Sequence, residues 1–282
     1  MDATRHVADL YRHATREVRP SFGQVAHRAL AYYAPLLRFI SNICPPSRST
    51  PPRLLDVGCG SGWSTYAFAR QGYQAVGLDV NPHAFEPPWT AGCTLQRGSV
   101  TAIPFEAESF DIVVAYQCLE HVATPARALD EMARVCKAGG VVAIVGPNLV
   151  SPLPGLMYLC KPSSWRSLQL FRSPATPRHP YGNTVPEIVA ASMLRTWQLL
   201  RKLFQRTPTF LMRSPDHDPP FHADNDACYL CTPLDVITYL RMKGLGIERK
   251  GRPRRPPLAY LIAGGTWVAA RKPPPGAEGL AR

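Results

Sequence analysis

The sequence lacks an apolar run long enough to cross a membrane. The nearest candidate, residues 149–160, is broken by Pro152 and Pro154, and a membrane-spanning helix needs roughly 18 or more apolar residues in a row. The first 20 residues carry several charges and no apolar central region, so no signal peptide is predicted either. Both absences favour a cytoplasmic protein, as do eight scattered cysteines that suit buried thiols in a reducing compartment.

A metal site is also poorly supported by the sequence. Cys228 and Cys231 form a single Cys-x-x-Cys pair, with no second pair at the spacing of a structural zinc site. His222, Asp224 and Asp226 lie nearby, but their spacing matches no specific metal site. We therefore predict that the protein binds no metal.

Acidic residues are scarce in the second half of the chain. Residues 1–147 hold 13 Lys and Arg against 12 Asp and Glu, whereas residues 148–282 hold 19 against 8. The net charge of +12 therefore belongs almost entirely to the second half. This asymmetry has three interpretations: an acidic substrate, a membrane-surface or nucleic-acid partner, or a solvent-exposed surface rich in arginine.

Glycine is concentrated in the turn that follows a buried predicted strand at residues 53–57. From Gly58 to Gly62 the sequence reads Gly-Cys-Gly-Ser-Gly and then enters a predicted helix at residues 62–71. Glycines in such a turn let a ligand approach the backbone because no Cβ stands in the way. The free N–H groups of the helix N-terminus face the same space. The stretch is therefore a predicted ligand-binding turn at the carboxyl end of a parallel strand.

This turn departs from the dinucleotide-binding pattern G-x-G-x-x-G. Its third glycine, Gly62, comes one place early, and Trp63 occupies the usual position. Asp56 also contributes a carboxylate, which would repel a pyrophosphate and attract a cation. S-adenosyl-L-methionine carries a sulfonium, an ammonium and no phosphate, and it fits this turn. The alternative is another α/β nucleotide-binding protein.

Residues 54–62 resemble the first motif of the class I S-adenosylmethionine-dependent methyltransferases, of the broad type that includes the ubiquinone-biosynthesis enzymes. The second motif of that family is an acidic residue at the end of the next strand, where Asp79 follows Gly58 by 21 residues. An acidic side chain at this distance reaches a ribose hydroxyl pair. Residues 103–111 and 119–122 resemble later motifs of the same family.

The resemblance implies a set of cofactor-binding residues and one candidate base. The residues that it assigns to S-adenosyl-L-methionine are Asp56, Gly58, Cys59, Gly60, Asp79, Val80, Ser99, Val100 and Gln117. Members of the family often carry an acid where Ser99 stands, and a hydroxyl would bind the adenine amino group more weakly. His121, in the loop after the fourth strand, is the candidate catalytic base, because an imidazole titrates near neutral pH. The alternative is that His121 only packs against the next helix or caps it.

Apolar runs alternate with helical patterns over residues 53–145, which predicts a parallel sheet flanked by helices. Gly139 and Gly140 are predicted to end the helix that begins at Pro125, just before a strand at residues 141–145. Two later strands, at residues 246–250 and 259–270, would complete the sheet as an antiparallel hairpin. The predicted fold class is α/β: a Rossmann-like, seven-stranded, mostly parallel sheet with helices on both faces, N-terminal helices and an insertion that forms a lid.

Five segments are predicted along the chain. They are an N-terminal helical cap and linker (1–50), the S-adenosylmethionine-binding core (51–147), an insertion that forms the lid and acceptor pocket (148–231), the completion of the sheet (232–272) and a disordered tail (273–282). In the insertion, Thr184 and Glu187 form a predicted capping box, and an apolar stripe follows at Val189, Met193, Trp197, Leu200 and Phe204. The alternatives are a loosely ordered surface segment for the insertion and simple packing for the N-terminal helices.

The predicted function is methyl transfer from S-adenosyl-L-methionine to a small-molecule acceptor, either lipid-like, a saccharide or a natural product. Oxygen is the leading acceptor atom because oxygen acceptors are common in the family. An RNA or DNA methyltransferase is the main alternative, but strand four ends in Tyr116-Gln117-Cys118 and lacks the Asn/Asp-Pro-Pro-aromatic element of amino-methylating nucleic-acid enzymes. A non-catalytic S-adenosylmethionine-binding protein is the third possibility. Contact with a membrane surface and the oligomeric state stay open.

Overall fold

The computed structural model describes residues 22–47, 49–80, 92–152, 184–214, 227–251, 261, 265–274 and 276. The regular elements are α1 (Phe22–Ser41), β1 (Arg53–Val57), α2 (Trp63–Arg70), β2 (Gln74–Asp79), β3 (Thr94–Arg97), β4 (Phe110–Tyr116), α3 (Pro125–Val135), β5 (Cys136–Pro147), α4 (Val185–Leu203), α5 (Pro233–Met242), β6 (Gly246–Lys250) and β7 (Gly265–Arg271). A short 3-10 helix, Leu119–His121, lies between β4 and α3. The predicted first helix around Val7 to Val18 falls outside the described residues, as does most of the predicted tail.

The seven strands form one sheet in the order β3-β2-β1-β4-β5-β7-β6. Strands β1 to β5 run parallel to their neighbours, and β7 is antiparallel to both β5 and β6. The strand order reverses at β1, which pairs with β2 on one side and β4 on the other. In open α/β sheets, ligands bind beyond the carboxyl ends of the strands at such a reversal. The predicted Rossmann-like α/β fold class is confirmed.

Helices cover both faces of the sheet because the central strands are apolar on both faces. Side chains alternate between the faces along each strand, so β1 sends Leu54 to one face and Leu55 to the other. On one face the strands pack against α3 and α5, through residues that include Leu129, Met132, Val236 and Leu240. On the other they pack against α1 and α2, through residues that include Leu36, Phe39, Ala67 and Phe68. The second N-terminal helix is thus an integral layer of the fold.

Two predicted element boundaries are wrong. Helix α3 ends at Val135, and Gly139 and Gly140 lie inside β5, which starts at Cys136. Tertiary pairing decides this boundary: Cys136 pairs with Phe110 of β4 before a register shift, and the Gly139 N–H donates to Lys272 O at 2.9 Å. The last strand begins at Gly265, later than predicted.

The described part of the insertion is anchored to α5. The Thr184 hydroxyl and the Glu187 carboxylate complete the predicted capping box of α4. Lys202 donates to both carboxylate oxygens of Asp235, at 2.8 and 2.6 Å, and both side chains are only 3 % exposed. Tyr229 donates to the same carboxylate at 3.1 Å. Residues 153–183 and 215–226 lie outside the described part of the chain.

Within the described ranges, no helix has both the length and the apolar content that crossing a bilayer requires.

Candidate active site

The turn after β1 is held by its glycines in conformations that other residues rarely adopt. Gly58, Gly60 and Gly62 have φ of +71°, +55° and +86°, the region that glycine enters without steric cost. A Cβ on Gly58 would overlap the side chain of Cys118, whereas a Cβ on Gly60 would meet no atom within 4 Å. Gly58 is therefore required for close packing on the loop after β4, and Gly60 borders open space that a ligand could enter.

Asp56 lies directly below this turn, at 1 % exposure. Its Oδ2 accepts hydrogen bonds from the Ser64 hydroxyl at 2.5 Å and the Thr65 hydroxyl at 2.7 Å. Both donors belong to the first turn of α2, so the carboxylate ties the end of β1 to the helix N-terminus. Carboxylates are favoured at such a position by the helix dipole.

The second oxygen of this carboxylate, Oδ1, is buried and has no hydrogen-bond partner among the described residues. Burial raises the pKa of Asp56 to about 6, against a partial lowering by the hydrogen bonds from Ser64 and Thr65. A buried carboxylate oxygen without a donor is costly, and an ammonium group would satisfy it. Asp56 is therefore suited to the predicted role, contact with the methionine amino group of a cationic cofactor.

Protonation of Asp56 should weaken binding of such a cofactor. Because its pKa is raised to about 6, the carboxyl is mostly charged at pH 7 and mostly neutral at pH 5. We expect the affinity for S-adenosylmethionine to fall by up to about tenfold from pH 7 to pH 5, the change that one linked proton gives. Calorimetric titrations at several pH values would measure it. Asp56→Asn should bind S-adenosylmethionine more weakly at pH 7 and should lose this pH dependence. If affinity varied with pH in the same way in both proteins, the assignment of Asp56 to the methionine amino group would be refuted.

Asp79 ends β2, the strand next to β1, and faces the same turn. Its Oδ2 accepts a hydrogen bond from the Gly60 N–H at 2.8 Å. The Gly58 N–H donates to Leu78 O at 2.7 Å, so the turn is bound to β2 through both backbone and side chain. The structure thus brings two of the predicted cofactor residues, Asp79 and Gly60, into direct contact beside the open space at Gly60.

The loop after β4 forms the opposite side of the site. Gln117 has φ of +50°, an uncommon value for a residue with a side chain, and its N–H donates to Val145 O at 2.7 Å. Strained backbone of this kind concentrates at functional sites. His121 follows in the 3-10 helix with its side chain 28 % exposed, and its Nε2 lies 3.9 Å from Oε1 of the buried Glu120.

The remaining predicted cofactor residues are Cys59, Val80, Ser99 and Val100. The Cys59 side chain is buried, and its Sγ lies 3.9 Å from Gly60 O. Val80 is 41 % exposed just beyond β2. The Ser99 hydroxyl lies 2.9 Å from that of Thr101, and Val100 packs against the core. The structure brings Asp56, Gly58, Gly60 and Asp79 together, and the adenine contacts at Ser99 and Val100 stay predictions.

Residues 55–144 match the family model of the methyltransferase domain. This stretch runs from β1 into β5 and includes His121 and all nine predicted cofactor residues. Two solved structures share the fold of this chain: a proposed S-adenosylmethionine-dependent methyltransferase from Listeria monocytogenes (14 % identical, 85 % of this chain and 98 % of that one, TM-score 0.51), and a proposed methyltransferase from Bacillus halodurans C-125 (16 % identical, 84 % and 98 %, TM-score 0.50). At such low identity, these two likenesses concern the fold alone.

Relatives at higher identity are uncharacterized methyltransferases of mycobacteria. That of Mycobacterium sp. (strain JLS) is 32 % identical over 136 residues, which cover 48 % of this chain and 52 % of that protein. That of Mycobacterium leprae (strain TN) is 34 % identical over 137 residues, which cover 46 % and 50 %. The chain thus spans about half the length of these relatives.

Sequence reasoning missed two features of this site. First, α1 places Tyr33 close to Asp56 and Ser64, and burial is the main reason that the pKa of Tyr33 is raised. Second, Glu120 O accepts the N–H groups of Cys228 and Tyr229, at 2.9 and 3.0 Å, so the insertion returns directly to the loop after β4. Neither contact has a local signal, because each joins residues that are distant in the sequence.

The described residues fit S-adenosylmethionine, the cofactor that the sequence resemblance implies. The unpartnered Oδ1 of Asp56 could accept from the ammonium group. The space beside Gly60 admits the cofactor next to the turn. Asp79 supplies a carboxylate at the end of the adjacent strand, where a ribose would lie.

Proposed function

We propose that the protein transfers the methyl group of S-adenosylmethionine to an oxygen atom of a small-molecule acceptor. The observation that carries this proposal is the pair of carboxylates, Asp56 and Asp79, near the ends of the adjacent strands β1 and β2, with Asp79 bonded to the Gly60 N–H. The pair favours a nucleoside with a positive group near Asp56 and a ribose near Asp79, since the Asp56 carboxylate would repel a pyrophosphate at the turn. The family match to a methyltransferase domain supports the same cofactor.

The described residues divide between holding the cofactor and preparing the acceptor. Asp56, Gly58 and Gly60 would hold the methionine moiety, Asp79 the ribose, and Ser99 and Val100 the adenine, with Gln117 lining the same space. When bound, the cofactor supplies a methyl group on a positively charged sulfur, and its transfer leaves the electron pair of the broken C–S bond on sulfur. Because this leaving group is good, the protein chiefly aligns the acceptor and excludes water.

An oxygen acceptor must also lose its proton, and in this proposal His121 takes it. The imidazole is partly exposed beyond β4 and lies 3.9 Å from the carboxylate of Glu120. A nearby buried carboxylate stabilises the protonated imidazole that forms when a base accepts a proton. The insertion returns to this loop through the backbone bonds from Cys228 and Tyr229 to Glu120, so it is the part of the chain best placed to contact the acceptor.

A methyl-transfer screen tests the proposal. The purified protein would be incubated with labelled S-adenosylmethionine and phenols, sugars, acidic lipids or RNA, and both labelled product and S-adenosylhomocysteine would be measured. Product with a small-molecule hydroxyl supports the proposal. Product with RNA alone, cofactor binding without any turnover, or retention of a nicotinamide or flavin in place of S-adenosylmethionine would each overturn it.

Asp79→Asn should weaken binding of S-adenosylmethionine by roughly 10- to 100-fold. The amide keeps an acceptor for the Gly60 N–H but loses the charged hydrogen bonds to a ribose, which contribute about 1.5–3 kcal/mol. Calorimetry on the purified variant measures the change. Asp111→Asn is the matched control, because Asp111 lies at the opposite edge of the sheet, where it binds Arg53 N and Lys137 Nζ. If Asp79→Asn and Asp111→Asn bound S-adenosylmethionine with the same affinity, the assignment of Asp79 to the ribose would be refuted.

A further inference from the structure

Helix α4 exposes most of its large apolar side chains. Seven of them form a surface that we call the α4 apolar face, and each is between 40 % and 86 % exposed: Val185, Val189, Met193, Trp197, Leu200, Leu203 and Phe204. At 100° per residue they fall within an arc of about 120°, the width of one side of an amphipathic helix. The protein core receives the adjoining side of α4, where Ile188, Ser192, Leu199 and Lys202 are buried.

This arrangement differs from that of an ordinary surface helix. Such a helix turns its apolar side to the core and its charged side to water, whereas α4 keeps a buried lysine and serine inside and a tryptophan and a phenylalanine outside. Isolated exposed apolar residues need no explanation, but a contiguous apolar surface marks a site of interaction. The α4 apolar face therefore has a partner outside the described residues.

The charge around the face selects the kind of partner. Between residues 184 and 214 the only acidic residue is Glu187, which is engaged in the capping box. The exposed basic residues of the same stretch are Arg201 and Arg206. Asp235 balances the buried Lys202, so the exposed surface of this stretch keeps an excess of positive charge. A second copy of this chain would bring like charges together, whereas an anionic partner would be attracted.

The side chains themselves suit a lipid surface. Trp197 lies in the middle of the face with the Arg201 guanidinium 5.5 Å from its ring centroid. Tryptophan and arginine both favour the boundary between headgroups and acyl chains, because each combines an apolar body with a polar end. The 19 residues of α4 extend about 28 Å at 1.5 Å per residue, and a helix of this type lies in the plane of the interface.

We propose that the α4 apolar face docks on the surface of an anionic lipid bilayer. The apolar side chains enter the boundary of the acyl chains, and the arginines beside them meet the anionic headgroups. Residues 209–213 and 227–231 connect this helix to the site: Leu230 N donates to Leu211 O at 2.8 Å, and Tyr229 N donates to Glu120 O at 3.0 Å. Docking would thus bring the loop after β4 close to the bilayer. The proposal concerns binding alone and does not rest on methyl transfer.

Co-sedimentation with vesicles tests the proposal without any cofactor. The full chain would be mixed with vesicles of phosphatidylcholine containing 30 mol % phosphatidylglycerol, or of phosphatidylcholine alone. We expect binding to the anionic vesicles that is at least tenfold stronger than to the neutral ones and that weakens in high salt. Trp197→Glu/Leu200→Glu should lose at least tenfold in binding to anionic vesicles. Met242→Glu is the matched control, since Met242 is 58 % exposed on α5 and should leave binding unchanged.

Three results of the binding and light-scattering experiments would overturn the proposal. They are no binding of the unmodified protein to anionic vesicles, equal binding by the double variant, and a dimer in light scattering that Trp197→Glu/Leu200→Glu converts to monomer. The last result would assign the face to contact between copies of the chain.

Thermal unfolding of the double variant shows whether it is still folded, and hydrogen exchange of the unmodified protein gives a second test of docking. There, amides of residues 185–204 should gain protection on addition of anionic vesicles, and unchanged exchange would contradict docking.

Discussion

His121→Asn is expected to lower kcat for an oxygen acceptor by about 100-fold, the lower range of what a positioned general base contributes. The imidazole lies in the 3-10 helix after β4, 3.9 Å from the buried carboxylate of Glu120, and asparagine cannot take a proton at neutral pH. Cofactor affinity should be unchanged, because His121 is not among the residues that hold the cofactor. Steady-state kinetics with the acceptor from the screen, together with calorimetry for S-adenosylmethionine, separate the two effects.

The pH profile distinguishes a base from a packing residue. In the unmodified protein, kcat should rise with pH and then level off, as expected for a reaction that needs one deprotonated base. His121→Asn should retain a low rate without that rise. If His121→Asn lost as much affinity for S-adenosylmethionine as it lost in kcat, His121 would only support the loop. A pH profile of the variant that matched the unmodified protein would lead to the same conclusion. A full rate in the variant would indicate an acceptor atom that needs no base.

The central site was predictable because its signals are local. Gly58, Gly60 and Gly62 mark a turn that needs positive φ, and the three glycines have it. Asp56 and Asp79 end consecutive strands, and consecutive strands separated by a helix pair in parallel with their carboxyl ends together. The sequence therefore sufficed to place these residues at one edge of the sheet.

The features that sequence reasoning missed depend on contacts between distant residues. Gly139 and Gly140 are typical of a helix end, but pairing of Cys136 with Phe110 extends β5 over them. Tyr33 reaches Asp56 and Ser64 only because α1 packs on the same face as α2. The stripe from Val189 to Phe204 was recognised as apolar, yet periodicity cannot tell whether such a stripe faces the core or a partner.

The other large expected effect is a loss of stability when the buried ion pair between α4 and α5 is broken. Lys202→Met is expected to lower the free energy of unfolding by about 3–5 kcal/mol, the usual effect of removing one member of a buried pair. The lysine donates to Thr209 at 2.9 Å as well as to Asp235, and its loss leaves the Asp235 carboxylate buried at 3 % exposure. Urea unfolding of the variant measures the change.

The neighbouring Arg201→Met is the matched control, because Arg201 lies on the same helix turn but is exposed. Its guanidinium lies 5.5 Å from the centroid of the Trp197 ring, so we expect a change of less than about 1 kcal/mol. Asp235→Asn combined with Lys202→Met should recover part of the loss, because the amide oxygen can still accept from Tyr229 or from Thr209 N and no buried charge remains. Equal stabilities of Lys202→Met and Arg201→Met would show that α4 is held by its apolar contacts.

If the ion pair between Lys202 and Asp235 anchors α4, amide hydrogen exchange in Lys202→Met should accelerate over α4 more than in β1 and β4, because the helix would open while the sheet stays folded.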